Sequence, residues 1–235
     1  MKIAVFSDIH SNLQALEAVI EDIKKQNVDR IICLGDILSK GPSPRECLDL
    51  IIENNIEMIL GNHELYFLKG VEIDDLISDI EKEHQAWIKS TLNEKHKEFL
   101  EKCPLEIKLD VYNKKISFKH FLIKDENAAY PFYLIDILNK NIVNDVIENL
   151  EEDYIFMGHE HRTFEINLEN KQLTDIGSSG CTDDEDTFYT MVTIDEESVR
   201  IEQINIKYDR NKFEEVFRNS VYPEKDIIAG IFFGL

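Results

Sequence analysis

The sequence predicts an α/β fold with parallel strands in its first half and mostly antiparallel strands in its second. Three observations predict it. Short apolar runs at residues 2–7, 30–34 and 57–60 alternate with two segments of helical periodicity. Strand–helix–strand–helix–strand at this spacing implies parallel strands joined by crossover helices. Beyond residue 105 the apolar pattern changes to a period of two, the mark of half-buried antiparallel strands.

Taken in order, the first run is a buried strand. Ser11-Asn12-Leu13-Gln14 then fits a capping box, with Ser11 at the cap and Gln14 three residues on. Leu13, Leu16, Val19, Ile20 and Ile23 share one helical face. A second helix opens at Ser43-Pro44-Arg45-Glu46, with proline at the first helical position and Glu46 placed to close a box. Residues 72–102 read as helical, through Ile73, Leu76, Ile77 and Ile80 and then Trp87, Ile88, Leu92, Phe99 and Leu100, until Pro104 closes the segment. Ile107, Leu109 and Val111 alternate, as do Ile116 and Phe118 after Asn113-Lys114-Lys115, which is a hairpin pattern. Residues 136–150 form an amphipathic helix pattern, and 154–157 a short strand. Paired alternating runs follow at 164–168 with 173–176 and at 188–194 with 199–206. Segments 211–219 and 225–233 read as helix, and the apolar end of the chain is expected to cap the sheet or meet another subunit. No repeat or linker interrupts the 235 residues, so one domain is expected over 1–235. Its insertion at about 72–104 would be a cap near the strand ends or an extra packed layer.

Charge narrows the partners. Lysine and arginine number 26 against 47 aspartates and glutamates, a formal net charge of −21. Such a surface repels polyanions, so neither long nucleic acid nor an anionic membrane is an expected partner. A local cationic centre such as bound metal stays compatible with it. No stretch approaches the roughly 18 apolar residues of a membrane span. The five-residue apolar run near Met1 is too short for a signal-peptide core. Cys33, Cys47, Cys103 and Cys181 are widely spaced. A cytoplasmic protein with reduced thiols is therefore the expectation.

The chemistry lies just past the predicted strands. Asp8-Ile9-His10 follows the first, Gly35-Asp36 the second and Gly61-Asn62-His63-Glu64 the third. His120 ends the 116–119 strand, and Gly158-His159-Glu160-His161 follows 154–157. Ligands of open α/β sheets bind beyond the carboxyl ends of the strands. Five strand ends thus bring two aspartates, an asparagine and five histidines to one rim. Imidazole and carboxylate together are a divalent-metal ligand set. His84 and His96 fall in the polar middle helices and are expected to be solvated. Asn12 is expected to serve the helix start.

In these motifs the sequence resembles the calcineurin-like metallophosphoesterase superfamily, in its bacterial and archaeal phosphodiesterase-like branch. The matching pieces are Ser7-Asp8-Ile9-His10-Ser11-Asn12, Gly35-Asp36 with Gly41-Pro42, Gly61-Asn62-His63-Glu64, His120, Gly158-His159-Glu160-His161 and the turn Gly177-Ser178. The resemblance implies a four-layer α/β/β/α sandwich with mixed central sheets and a dinuclear site. Asp8, His10 and His161 would hold the first metal, Asn62, His120 and His159 the second, and Asp36 would bridge. His63 would contact phosphate and protonate the leaving oxygen. The implied activity is hydrolysis of small phosphate mono- or diesters by metal-bound hydroxide. Two divalent cations are implied, manganese foremost, with Fe, Zn, Ni or Mg also suited to the ligands. A non-catalytic binding scaffold on the same fold is the alternative, and loss of ligand residues would be its mark.

Two positions depart from the family pattern. Phe121 stands where glycine is usual after His120, which bears on pocket shape. Glu160 replaces a small residue between His159 and His161, and strand alternation directs it away from both ligands. Lys40 and Arg162 are the nearby positive candidates for substrate contact.

Overall fold

The computed structural model describes residues 1–71, 78–123, 132–133, 144, 146–183 and 185–235. Strand β1 (Lys2–Phe6), helix α1 (Leu13–Ile23), β2 (Arg30–Cys33), α2 (Pro44–Glu53) and β3 (Glu57–Met58) come first. Helices α3 (Asn62–Lys69), α4 (Asp79–Thr91) and α5 (Glu94–Leu100) follow. Next are β4 (Glu106–Val111), β5 (Lys114–Lys119), β6 (Leu122–Ile123) and β7 (Phe132–Tyr133). Then come β8 (Tyr154–Met157), β9 (Thr163–Leu168), β10 (Lys171–Ile176), β11 (Asp186–Ile194) and β12 (Val199–Lys207). Helices α6 (Arg210–Asn219) and α7 (Lys225–Ile228) and a π-helical turn (Ala229–Phe233) end the chain.

The strands form two mixed five-stranded sheets. The first has the order β12-β11-β1-β2-β3, and the second β4-β5-β8-β10-β9. Neighbours β1–β2 and β2–β3 are parallel in the first sheet, as are β5–β8 and β8–β10 in the second. Crossover helices α1 and α2 force the first pair of parallel contacts, and the tight hairpin at Tyr112–Asn113 makes β4–β5 antiparallel.

Alternation along β1 explains the layers. Ile3 and Val5 face the second sheet and pack with Ile32, Ile116, Phe118 and Phe156 in a core between the sheets. Ala4 and Phe6 face the other way, onto Leu16, Val19, Leu48 and Ile51 of α1 and α2. The second sheet's outer face, with Ile155, Met157 and Leu173, is covered by Ile147 and its neighbours Val146 and Leu150. The α/β/β/α sandwich is therefore present. Of the expected helices, Ile73, Leu76 and Ile77 and most of the 136–150 segment lie outside the described residues.

Several local expectations change. Asn12, not Ser11, caps α1: its Oδ1 accepts the Ala15 N–H at 3.1 Å. Ser11 has φ 57°, which removes it from the extended geometry of a cap. Asn12 also donates to the Gly180 carbonyl at 2.8 Å, so its role is structural. Ser43 precedes α2 without a side-chain cap bond. His84 and His96 are not solvated; they are 1% and 0% exposed. His96 Nδ1 accepts the Asn93 N–H at 3.1 Å, so its Nε2 donates to Asp49 Oδ1 at 3.1 Å. His84 Nε2 accepts the Lys40 N–H at 3.0 Å. Sequence polarity put both on a wet face because their polar neighbours mask these inward hydrogen bonds.

The chain's end packs back on the first layer. Phe213, Phe217 and Phe233 cluster with Ala15, Tyr208 and Tyr222. Arg210 ties this segment down, donating to the Thr182 carbonyl at 2.5 Å and to the Phe233 carbonyl. The apolar terminus thus covers α1 rather than the sheet. Among the described residues no helix is long and apolar enough to cross a membrane.

Candidate metal centre

Parallel strands from both sheets end at one rim. Beyond β1 lie Asp8 and His10, beyond β2 Asp36, and at the start of α3 Asn62 and His63. From the second sheet come His120 after β5 and His159 and His161 after β8. The loops are stitched by backbone bonds: Asp8 N–H to the Gly35 carbonyl (3.1 Å), His10 N–H to Asp36 (2.9 Å) and Gly158 N–H to His120 (3.1 Å). Left-handed backbone bends each side chain inward, at Asp8 (φ 53°), His10 (48°), Asp36 (50°), His159 (79°) and His161 (58°). Outside glycine such backbone is uncommon, although Asp and His are enriched in it.

Two glycines bring backbone hard against the aspartates. A Cβ on Gly158 would stand 2.4 Å from Asp8 Oδ2, and one on Gly61 would stand 2.1 Å from Asp36 Oδ1. The next residues use that proximity: His159 N–H bonds Asp8 Oδ2 at 3.1 Å, and His63 N–H bonds Asp36 Oδ1 at 3.0 Å. Each aspartate so keeps one oxygen for the centre.

Those free oxygens meet the imidazoles. Asp8 Oδ1 lies 3.3 Å from His161 Nε2 and 3.6 Å from His10 Nε2. Asp36 Oδ2 lies 3.3 Å from His120 Nε2, 3.8 Å from His10 Nε2 and 3.9 Å from His63 Nε2. His159 Nδ1 and Asn62 Oδ1 are 3.0 Å apart. His120 Nδ1 donates to the Leu34 carbonyl at 2.8 Å, and His10 Nδ1 to the Leu38 carbonyl at 3.2 Å. Both rings therefore aim Nε2 at the centre, the outer bond that metal-binding histidines use. Buried Asp8 Oδ1 and His120 Nε2 have no hydrogen-bond partner. Buried polar atoms left in this way cost free energy unless something else satisfies them. A cation fits that requirement, and the donor set suits a divalent one.

Electrostatics agree. Burial penalises charge on Asp8, yet His120, His10 and His161 hold its carboxyl well below the usual range. Asp36 is held low against the same penalty, chiefly by His120 and His63. Burial also opposes charge on His120, but Asp36 and Asp8 outweigh it and keep the pKa up at about 9. Burial pushes His63 down to about 3 and His159 down to about 4.

Glu64 and the α4 helix hold this arrangement. The buried Glu64 carboxylate accepts the N–H groups of Asp36 (2.8 Å), Leu38 (3.0 Å) and Gly61 (2.9 Å). From α4, Gln85 Nε2 bonds His63 Nδ1 at 2.8 Å and Glu81 Oε1 at 2.9 Å. Lys40 pairs with Glu81 at 2.7 Å, and Tyr222 donates to the Lys40 carbonyl at 2.8 Å. Sequence reasoning missed Glu81, Gln85 and Phe232. Only the polar–apolar alternation of α4 hinted at a face turned to the rim.

An open cavity of about 440 Å³ lies over the centre. His10, Asp36, Asn62, His63, His159 and His161 line it, with Lys40, Glu160, Arg162 and Phe232. Glu160 is among those lining residues, and the alternation that directed it away from both ligands does not hold at this turn. Positive φ at His159 and His161 breaks the extended geometry on which that inference rests. Phe121 is 3% exposed and stands edge-on to the rings of His120 and His159, with centroids at 5.3 and 5.8 Å.

Comparison with known proteins gives the family and the fold. A family model for the calcineurin-like phosphoesterase superfamily domain matches residues 1–198. The uncharacterized protein MJ0912 of Methanocaldococcus jannaschii is 33% identical over 241 residues, covering 94% of this chain and 94% of that protein. A metallophosphoesterase structure from Sphaerobacter thermophilus aligns over the whole of both chains, with a TM-score of 0.72 at 22% identity. Hypothetical protein PH1004 from Pyrococcus horikoshii OT3 aligns over all of this chain and 98% of its own, with a TM-score of 0.80 at 18% identity. The two structures share the fold, and the family match spans every strand-end motif of the rim. The chain belongs to the calcineurin-like phosphoesterase superfamily.

Proposed function

We propose that the protein hydrolyses small phosphate esters, mono- or diesters, in a centre that takes two divalent cations. One observation carries the reading: seven ligand-type side chains from both sheets converge, with buried Asp8 Oδ1 and His120 Nε2 lacking a hydrogen-bond partner. Asp8, His10 and His161 frame one position. Asn62, His120 and His159 frame the other. Asp36 Oδ2 faces both, 3.8 Å from His10 Nε2 and 3.3 Å from His120 Nε2. When bound, cations at these positions acidify water and offset phosphoryl charge. Manganese heads the candidates.

His63 is the proton donor in this reading. Glu81 Oε1 accepts from the Gln85 amide, which orients that amide to donate to His63 Nδ1. The ring proton then resides on Nε2, which faces the cavity. A phosphate entering beside it adds negative charge and favours the imidazolium. Glu81 Oε1, 3.5 Å from Nδ1, is placed to accept a hydrogen bond from Nδ1 once it is protonated, in place of the Gln85 amide. The imidazolium can then protonate the leaving oxygen from Nε2. Lys40 and Arg162 flank the cavity as cationic contacts for phosphate oxygens. A surface charge of −21 favours small esters over long polyanions.

Metal analysis followed by an ester screen tests the reading. Two equivalents per chain and turnover of small mono- or diesters are expected. Protein that binds no divalent ion and stays inert with added Mn²⁺ points instead to a binding scaffold.

A further inference from the structure

We propose that Cys181 supplies a thiolate ligand to the cation position framed by Asp8, His10 and His161. The inference rests on the metal-centre reading above and deepens it. Cys181 Sγ and ring nitrogens of His10 and His161 all lie within 4.8 Å of one another. His10 Nε2 and His161 Nε2 are 2.9 Å apart. Two imidazoles that share one tetrahedral ion through bonds of about 2.0–2.1 Å stand about 3.3 Å apart, so a separation only slightly wider than this contact admits one. Asp8 Oδ1, wholly buried and without a hydrogen-bond partner, lies 3.3 Å from His161 Nε2 and 3.6 Å from His10 Nε2. Sulfur and carboxylate oxygen thus both lie close to the His10–His161 pair.

The sulfur is held there. Ser178 Oγ accepts the Cys181 N–H at 2.9 Å and donates to the Asp8 carbonyl at 2.7 Å. Arg210 grips the carbonyl of the next residue, Thr182, at 2.5 Å. The turn that carries Cys181 is so fixed both to the Asp8 loop and to the chain's end.

A thiolate changes what the position prefers. Sulfur ligands select zinc or iron over the harder Mn²⁺ and Mg²⁺. Ligation exchanges the S–H proton for the cation and releases that proton to water. The position framed by His120, His159 and Asn62 has no sulfur among these residues. The two positions would therefore differ in softness, with a zinc- or iron-selective first site beside a second that accepts manganese.

Cobalt(II) reads this directly in the full chain. The wild type loaded with Co²⁺ should show thiolate-to-cobalt charge-transfer absorption in the near ultraviolet together with visible ligand-field bands. Cys181→Ser should keep bound cobalt and the visible bands but lose the charge transfer. Bound cobalt without charge transfer in the wild type, or charge transfer that survives Cys181→Ser, overturns the proposal and leaves the metal reading standing. Failure to bind cobalt at all overturns both. A second measurement needs no variant. Zn²⁺ should slow alkylation of Cys181 by iodoacetamide about tenfold or more in the wild type, because the reacting thiolate is then coordinated. Equal rates with and without Zn²⁺ overturn the proposal.

Discussion

At the rim, the chemistry-bearing side chains sit on short loops directly after strands. The groups that orient them come from α4 and the chain's end, far off in sequence. Asp8 and His10 follow their strand at once, whereas Lys40 is held by Tyr222 and Glu81. The rim is built of potential ligands. The flank is built of carboxylate, amide and aromatic groups that touch His63 and Lys40. The difference teaches that the rim defines what can bind, and that the flank defines in which tautomer and position the rim meets it.

That division can be broken by experiment. Asp36→Asn should be the most damaging change, because Asp36 faces both proposed positions. Turnover should fall about 10⁴-fold, since a cation contributes several kcal/mol to phosphoryl transfer. Metal content should drop below two equivalents; two full equivalents in this variant would remove the bridging role. His63→Ala should keep both metals and lose about 10³-fold with a poor leaving group, and far less with an activated one. A loss independent of leaving group would move His63 out of the proton-donor role.

On the flank, His84 makes a pH prediction about stability. Burial pushes its pKa from 6.5 down to about 4. Below pH 6.5 the unfolded chain binds a proton that the folded chain refuses. His84's contribution is therefore fully present above pH 6.5 and is lost as pH falls toward 4. The loss amounts to at most about 3 kcal/mol. Chemical denaturation of wild type and His84→Gln at pH 7 and pH 4.5 checks it; the gap between the two proteins should narrow at the lower pH. Glu81→Gln is the mildest change. It should keep the metals and lower kcat about tenfold with little effect on KM, as expected when a group acts through its neighbour. Loss of metal in Glu81→Gln would erase the distinction between rim and flank.

Much of the rim was legible in the sequence for a physical reason. Parallel strands deliver their carboxyl ends to one side, so a metal-ligand residue after each strand is a spatial cluster before any coordinates exist. The two sheets and their hairpins were legible through periodicity. The rest was hidden by long-range packing. His84 and His96 looked solvated because a buried histidine with one backbone partner has no pattern in sequence. The direction expected for Glu160 rested on strand alternation, which the left-handed turn at His159 and His161 does not keep. Glu81 and Gln85 read as an ordinary polar helix face, and Phe232 as a generic apolar tail, because the site they border is assembled from residues distant in sequence.

Left-handed backbone at Asp8, His10, Asp36, His159 and His161 has a consequence for how this protein tolerates change. Each such residue costs on the order of 1 kcal/mol relative to ordinary backbone. Together they draw about 5 kcal/mol from a fold whose total stability is typically only about 5–15 kcal/mol. The site therefore occupies much of the reserve with which a protein absorbs neutral drift. A sequence lineage that keeps this rim has fewer harmless mutations open to it elsewhere, in the sheets and helices that never touch a substrate.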